Sequence, residues 1–387
     1  MRKIHFWSPK KVDVVIFDST NSHFLTSVLD KKNSVFEYNL NPPEIWIGIR
    51  VVAIFLQKIF SHDFKDMMSH PKGKIYGLFK YLYYVYIESV LISLTPQFVI
   101  TFIDNSELFG WLSKNCRVFP FIAIQNGFRL SSDAKSPEHY YCQHLFCFGQ
   151  HELEKFPIMG YHVENFYPAG SIVSSLYSNR ELESIQEKYD LLIVSCWRGN
   201  IGFQQDVQET MASMRTMDEL FAKYLSKRNL KAAVILRAEE SSEHWYIPEM
   251  GMNERDYYYS IYADLIEIIP NNFSLRPIYP LMQTSKMIVS TLSSALLEGF
   301  GMGKKALYYN FCDSNDYHKD FNPLIVSNST NFEQFSQEVD TILAMPDSVY
   351  KMKYSFLQDY YMSFPIQGST KNYIKEKIAS IVLKNNS

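Results

Sequence analysis

Short apolar runs that end abruptly in polar residues recur along this chain, and they limit its fold more than any other feature. DVVIFDS (13–19), QFVITFID (97–104), FPFIAIQNGFR (119–129) and HLFCFGQ (144–150) are such runs in the first half. DLLIVSCWRGN (190–200), KAAVILRAEES (231–241) and KMIVS (286–290) repeat the pattern in the second half. A short apolar run without polar alternation fits a strand buried on both faces, as in a parallel sheet covered by helices. Helical stretches separate the runs. HFLTSVL precedes the strand SVFEY (34–38), and two apolar helices fill much of 45–94. A long helical pattern runs to about residue 228, and MNERDYYYSIYADLIEII (252–269) reads as another. FSLRP (273–277) reads as a strand, IYPLMQTS as a short helix, and the tail from about 330 as mostly helical. Strand–helix alternation of this kind predicts an α/β protein with doubly wound sheets.

At 387 residues the chain is too long for one ordinary core. The polar stretch AGSIVSSLYSNRELESIQEKY (169–189) marks a boundary. The expectation is two Rossmann-like domains facing across a cleft, 1–170 and 189–387, with 171–188 as linker. In such sheets ligands gather at the C-terminal ends of the strands. In the first half those ends carry Asp18, Asp104, Asn105, Gln125, Asn126 and Arg129. Gln125, Asn126 and Arg129 are candidates for the acceptor side of a cleft.

Composition excludes several classes. A formal net charge of −3 gives no basic footprint for nucleic acid. The five cysteines form no C-x-x-C pair and no histidine-spaced set, so they read as reduced core thiols, with no metal site expected. MRKIHFWSPKK is basic but is followed by no apolar signal-peptide core. IWIGIRVVAIFLQKIF (45–60) and YGLFKYLYYVYIESVLISL (76–94) are interrupted by Arg50, Lys58, Lys80 and Glu88, which favours buried helices over spanning ones. The expected location is cytoplasmic. The basic, aromatic N-terminus fits either a peripheral contact with the inner membrane face or a solvated end.

The densest candidate motif is STLSSALLEGFGMGKKALYYN (290–310). Its glycines Gly299, Gly301 and Gly303 invite comparison with a dinucleotide fingerprint, but that fingerprint follows a strand and opens a helix. Here the glycines close the helix SSALLEGF, as caps and a tight turn. Any anion site belongs at the other end. Ser293 and Ser294 stand at the helix start, beside unpaired N–H groups and the positive end of the helix dipole. Glu298 follows Ser294 by one turn on the same face, where a carboxylate can accept ribose hydroxyls. Serine is also a common N-cap, and helix glutamates are commonly solvated.

This segment, preceded by IYPLMQTSKMIV, resembles the nucleotide-binding segment of B-type (GT-B) glycosyltransferases of bacterial surface-carbohydrate assembly. FIAIQNGFR, then FCFGQHELEKFPIMGY and AGS, looks like the N-terminal half of the same group. The group includes capsule and O-antigen proteins, the retaining β-Kdo transferases and, more distantly, the CDP-glycerol phosphotransferases. The likeness spans most of the chain as an order of elements, and the Ser-Ser-x-x-x-Glu segment is its most specific part. It implies a CMP-activated acidic sugar as donor, with Ser293 and Ser294 on the phosphate and Glu298 on the ribose. It implies a saccharide or lipid-linked saccharide as acceptor. In one place the chain departs from the group. Many relatives carry Arg-x-His-Pro after the second strand of the C-terminal domain, whereas this chain reads LRAEES, keeping Arg237 without the His-Pro. His244 is one replacement for the missing histidine.

A CMP-sugar carries its own leaving group. Serine hydroxyls, a helix start and Arg198 or Arg237 can stabilise the departing phosphate without a metal or other cofactor. A carboxylate must serve the anomeric centre, as base or as nucleophile. Glu239 and Glu240 at a strand tip are candidates, as are Asp18 and Asp104 in the first half. Each of these carboxylates could instead cap a neighbouring turn. Alternatives that stay open are a CDP-polyol phosphotransferase, a UDP-sugar transferase, and a non-catalytic assembly protein of the same fold.

Overall fold

The computed structural model describes residues 4–40, 44–62, 72–129, 140–177, 187–197, 205–239, 252–291, 293–311, 321–365 and 369–386. Arg198, Glu240 and His244 lie outside them. The chain divides into two compact units. The first comprises Met1–Gly127, Ala134–Ile172 and Pro365–Ser387, and the second Phe128–Asp133 and Val173–Phe364.

In the first unit β1 (Ile4–His5) pairs with β4 (Ile45–Trp46) in a small parallel ribbon. The main sheet holds β2 (Val14–Phe17), β3 (Val35–Tyr38), β5 (Phe98–Thr101), β6 (Phe121–Ile124), β7 (Tyr141–Cys147) and β8 (His162–Pro168). Its order is β3-β2-β5-β6-β7-β8, with every pair parallel. All residues of β2, β5 and β6 are buried, as the unbroken apolar runs require. The strand order reverses between β2 and β5, the kind of point where open α/β sheets bind ligands.

The second unit holds β9 (Tyr189–Val194), β10 (Ala232–Glu239), β11 (Glu267–Asn271), β12 (Ser285–Ser290), β13 (Lys305–Tyr309) and β14 (Val326–Ser327). The order is β11-β10-β9-β12-β13-β14, again all parallel. Counted within the unit this is the dinucleotide-fold order 3-2-1-4-5-6. The reversal lies between β9 and β12, where the Ser290 hydroxyl donates to the Val194 carbonyl at 2.7 Å.

Three expectations need correction. FSLRP is not a strand; β11 lies earlier, at Glu267–Asn271. The helix expected over 252–269 accordingly stops at Tyr262, because Ala263 takes a left-handed φ of 46° and breaks it. Glu267–Asn271 follows as an edge strand, the position in a sheet where a proline such as Pro270 is tolerated. The edge strands β8 and β14 have no counterpart in the sequence reading, since neither shows a sustained apolar run. The C-terminal helix Thr370–Asn386, placed by chain order in the second domain, clusters with the first unit, where the Thr370 hydroxyl donates to the Ala169 carbonyl at 2.9 Å.

The glycines of the densest motif do structural work. A Cβ at Gly299 would lie 2.3 Å from Ile288 Cδ1, and one at Gly301 2.4 Å from Met362 Cβ. Gly303, with φ 89°, closes the helix. Cys116, Cys142, Cys147 and Cys196 are buried thiols in no disulfide.

Candidate functional site

In the second unit a cavity of about 260 Å³ opens at the C-terminal ends of β9, β10 and β12. Ser293, Ser294, Arg237, Arg276 and Tyr279 line it, together with Ser195 and Cys196 after β9. It therefore sits at the reversal of strand order, where the topology predicts a ligand. The sheet delivers its lining because each strand stops there and turns into a loop or helix start.

The helix Ser294–Gly301 points its N-terminus at this cavity. Ser293 is its N-cap residue, in an extended conformation, and its side chain makes no capping bond. The Ser293 carbonyl is held instead by the Tyr308 hydroxyl at 2.6 Å. Ser294 Oγ accepts the Phe128 N–H at 2.9 Å. That bond orients the hydroxyl while leaving its proton to donate. Thr291, just before the helix, is buried, and its hydroxyl has no hydrogen-bond partner among the described residues. A buried hydroxyl left so is costly, and a bound ligand is one common explanation.

Arg237 reaches the cavity through a local irregularity. The β10–β11 register shifts between Ile235 and Glu239. The Arg237 and Ala238 N–H groups both donate to the carboxylate of Glu254, each at 2.8 Å, and the Ser195 hydroxyl donates to the same carboxylate. Burial raises the pKa of Glu254, while these three donors oppose the shift. The Arg237 guanidinium donates to the Trp197 carbonyl at 3.0 Å, which fixes its direction. Arg276, in a left-handed turn with φ 48°, adds a second cation to the cavity wall, its guanidinium 5.8 Å from the Phe273 ring centroid. Two guanidiniums and a helix N-terminus make this an anion-attracting concavity.

The remaining sequence candidates separate by role. Glu298 is buried and is not part of the cavity lining; its Oε2 accepts the Tyr279 hydroxyl at 2.7 Å. Burial and this carboxylate push the Tyr279 pKa up. Glu239 stands at the tip of β10, where its Oε1 accepts the Phe273 N–H at 2.7 Å and caps the turn after β11.

In the first unit, Asp18 follows β2 with φ 68° and accepts the Thr20 N–H at 2.9 Å, a local turn. Asp104 follows β5, is buried, and accepts the Asn126 N–H and the Tyr140 hydroxyl, both at 3.2 Å. Asp18 and Asp104 thus stand at the two strand ends that flank the reversal in that sheet. Gln125 is a buried brace. It accepts the Phe148 N–H and donates to the Gly127 carbonyl and to Glu152. Arg129 is half-buried and clusters with the second unit. Among the described residues no three His, Cys, Asp or Glu side chains converge as a metal site would require.

Glu254, Arg276, Tyr279, Ser195 and Thr291 escaped the sequence reading. Only Thr291 had a signal, standing in the same polar strand end as the serines.

No family model matches the sequence, and no curated protein matches it either. Solved structures do match over nearly the whole chain. A UDP-N-acetylglucosamine 2-epimerase from Neisseria meningitidis, bound to UDP-N-acetylglucosamine, is 12% identical with a TM-score of 0.52, covering 99% of this chain and 100% of its own. The wall teichoic acid polymerase TagF is 13% identical with a TM-score of 0.51, covering 97% and 90%. A UDP-forming α,α-trehalose-phosphate synthase from Burkholderia xenovorans is 9% identical with a TM-score of 0.51, covering all of both chains. The fold is GT-B. At these identities the likeness speaks for the GT-B architecture alone, and fold does not fix activity. Within GT-B, the cavity above belongs to the C-terminal Rossmann-like unit.

Proposed function

We propose that this GT-B chain is a glycosyltransferase of cell-surface polymer assembly that grips a nucleotide-activated donor in the cavity of its second unit. One observation carries the reading: the N-terminus of Ser294–Gly301 opens into a concavity at the strand-order reversal that Arg237 and Arg276 also line. Phosphate oxygens suit such a place, since N–H groups, serine hydroxyls and guanidiniums all donate there without reorganisation. The names of the GT-B neighbours support a nucleotide sugar as ligand, because two of them specify uridine nucleotides and the third assembles a wall polymer.

For the donor we take a CMP-linked acidic sugar as the first reading, on the strength of the Ser-Ser-x-x-x-Glu segment. Ser293 and Ser294 hold the phosphate. Glu298, locked to Tyr279, shapes the wall behind the ribose. The second reading is a diphosphate donor, UDP- or CDP-linked. Two arginines lining one cavity favour it, since they match a larger negative charge. For the chemical step we assign a carboxylate at the anomeric centre, with Glu239 first and Asp104 and Asp18 next. The acceptor is a saccharide or lipid-linked saccharide. Thermal-shift titration with CMP, CDP and UDP tests the reading. A rise in melting temperature with at least one of them is expected, since a ligand that binds only the folded state stabilises it. The nucleotide with the largest shift names the donor class, and no shift with any of the three contradicts the proposal.

A further inference from the structure

Two helices of the first unit carry apolar residues on the face they turn to solvent. On Ile49–Lys58 and the turn after it, Ile49 is 88% exposed and Phe60 90%, with Val52 and Leu56 between them. The spacing of three to four residues puts these on one stripe. On Lys74–Leu94 the first turns expose Ile75, Leu78, Phe79 and Tyr83, also at helical spacing. The two helices pack together: Lys58 Nζ lies 2.9 Å from Glu88, and the Tyr81 hydroxyl donates to the Ile59 carbonyl at 2.8 Å. Exposed Phe6 and Trp7 adjoin the first helix at its start. There Gly48 touches the chain at Trp7 and Ser8 so closely that a Cβ would lie 2.1 Å from the Ser8 nitrogen.

Arg50 and Lys74 on the two helices, and Lys72 just before the second, are exposed. The two helices hold a single acidic residue, Glu88, which is buried and paired with Lys58. Apolar and aromatic side chains beside cations, with no exposed carboxylate on either helix, match the interface of an anionic bilayer. A second copy of the chain fits poorly, since Arg50, Lys72 and Lys74 would meet their own counterparts. No described helix is long and apolar enough to cross a membrane, so a chain held here would lie on the surface.

We propose that the solvent-facing stripe of Ile49–Lys58 and the first turns of Lys74–Leu94 dock on an anionic phospholipid surface. This does not depend on the glycosyltransferase reading. The test is co-sedimentation of the full chain with phosphatidylcholine vesicles, with and without phosphatidylglycerol, beside light scattering of the protein alone. The expected result is binding that requires phosphatidylglycerol and weakens with salt. The double variant Phe60→Ser/Phe79→Ser should bind about tenfold more weakly, since each phenyl group contributes buried apolar area at the interface. Arg50→Gln/Lys74→Gln should weaken binding without changing the melting temperature. Both pairs alter exposed side chains, and unchanged circular dichroism would certify the fold. Three outcomes overturn the proposal: wild type that stays in solution with both vesicle types, a Phe60→Ser/Phe79→Ser variant that binds as wild type does, or a dimer that the same variant dissociates.

Discussion

Glu239 shows how one carboxylate can hold two assignments until charge and hydrogen bonding are tested apart. Its Oε1 accepts the Phe273 N–H, a turn-capping role that glutamine can also fill. Glu239→Gln should therefore keep the fold and the nucleotide grip while removing the negative charge. If Glu239 acts at the anomeric centre, turnover falls by roughly a hundredfold or more, the scale of a lost acid–base group, at unchanged melting temperature. Near-normal turnover would move the role to Asp104 or Asp18. At this scale the sequence was partly legible. Ser293 and Ser294 could be found because a polar pair sits between an apolar strand and an apolar helix, a purely local pattern. Arg276 and Glu254 could not, because their meaning depends on contacts far along the chain. The Glu254 carboxylate matters through Ser195 and Arg237, 59 and 17 residues away.

Elements were legible where burial was uniform. The apolar runs of β2, β5, β6 and β9 are strands because parallel pairing buries both faces. The reading failed at the sheet edge, where only the short turn Ala263–Leu265 separates β11 from the helix before it. Between the elements of the second unit lies a titratable link. Asp218 on the helix Gln205–Leu225 accepts hydroxyls from Tyr257 and Tyr262, at 2.9 and 2.8 Å, on or at the end of the helix Glu254–Tyr262. Burial pushes its pKa up to about 7, against the ordinary 3.8. The folded state then holds a proton that the unfolded chain releases, so this group favours folding most below about pH 4 and loses that contribution as pH rises through 7. Urea denaturation of the wild type between pH 5 and 8 should show a decline that Asp218→Asn, neutral throughout, flattens. Equal slopes for both proteins would contradict the assignment.

At the scale of the whole molecule, the α/β class was legible from alternation and the division in two from chain length and a polar stretch, whereas strand order was not. Order depends on which strands pair across long intervals, as β9 pairs with β12 almost a hundred residues later. That pairing creates the reversal at which the cavity forms. Serines, a helix start and arginines suffice to hold phosphate there, so transferase activity should survive EDTA. Loss on chelation with restoration by magnesium or manganese would refute that part. The central claim, that this cavity holds the donor's nucleotide, is tested most directly by calorimetric titration of CMP, CDP and UDP into wild type and into Ser293→Ala/Ser294→Ala. Saturable binding of at least one nucleotide is expected, weakened about tenfold or more in the double variant, since each hydroxyl lost from a charged oxygen costs about 1–2 kcal/mol. The same affinity in both proteins, or no binding of any of the three, would contradict it.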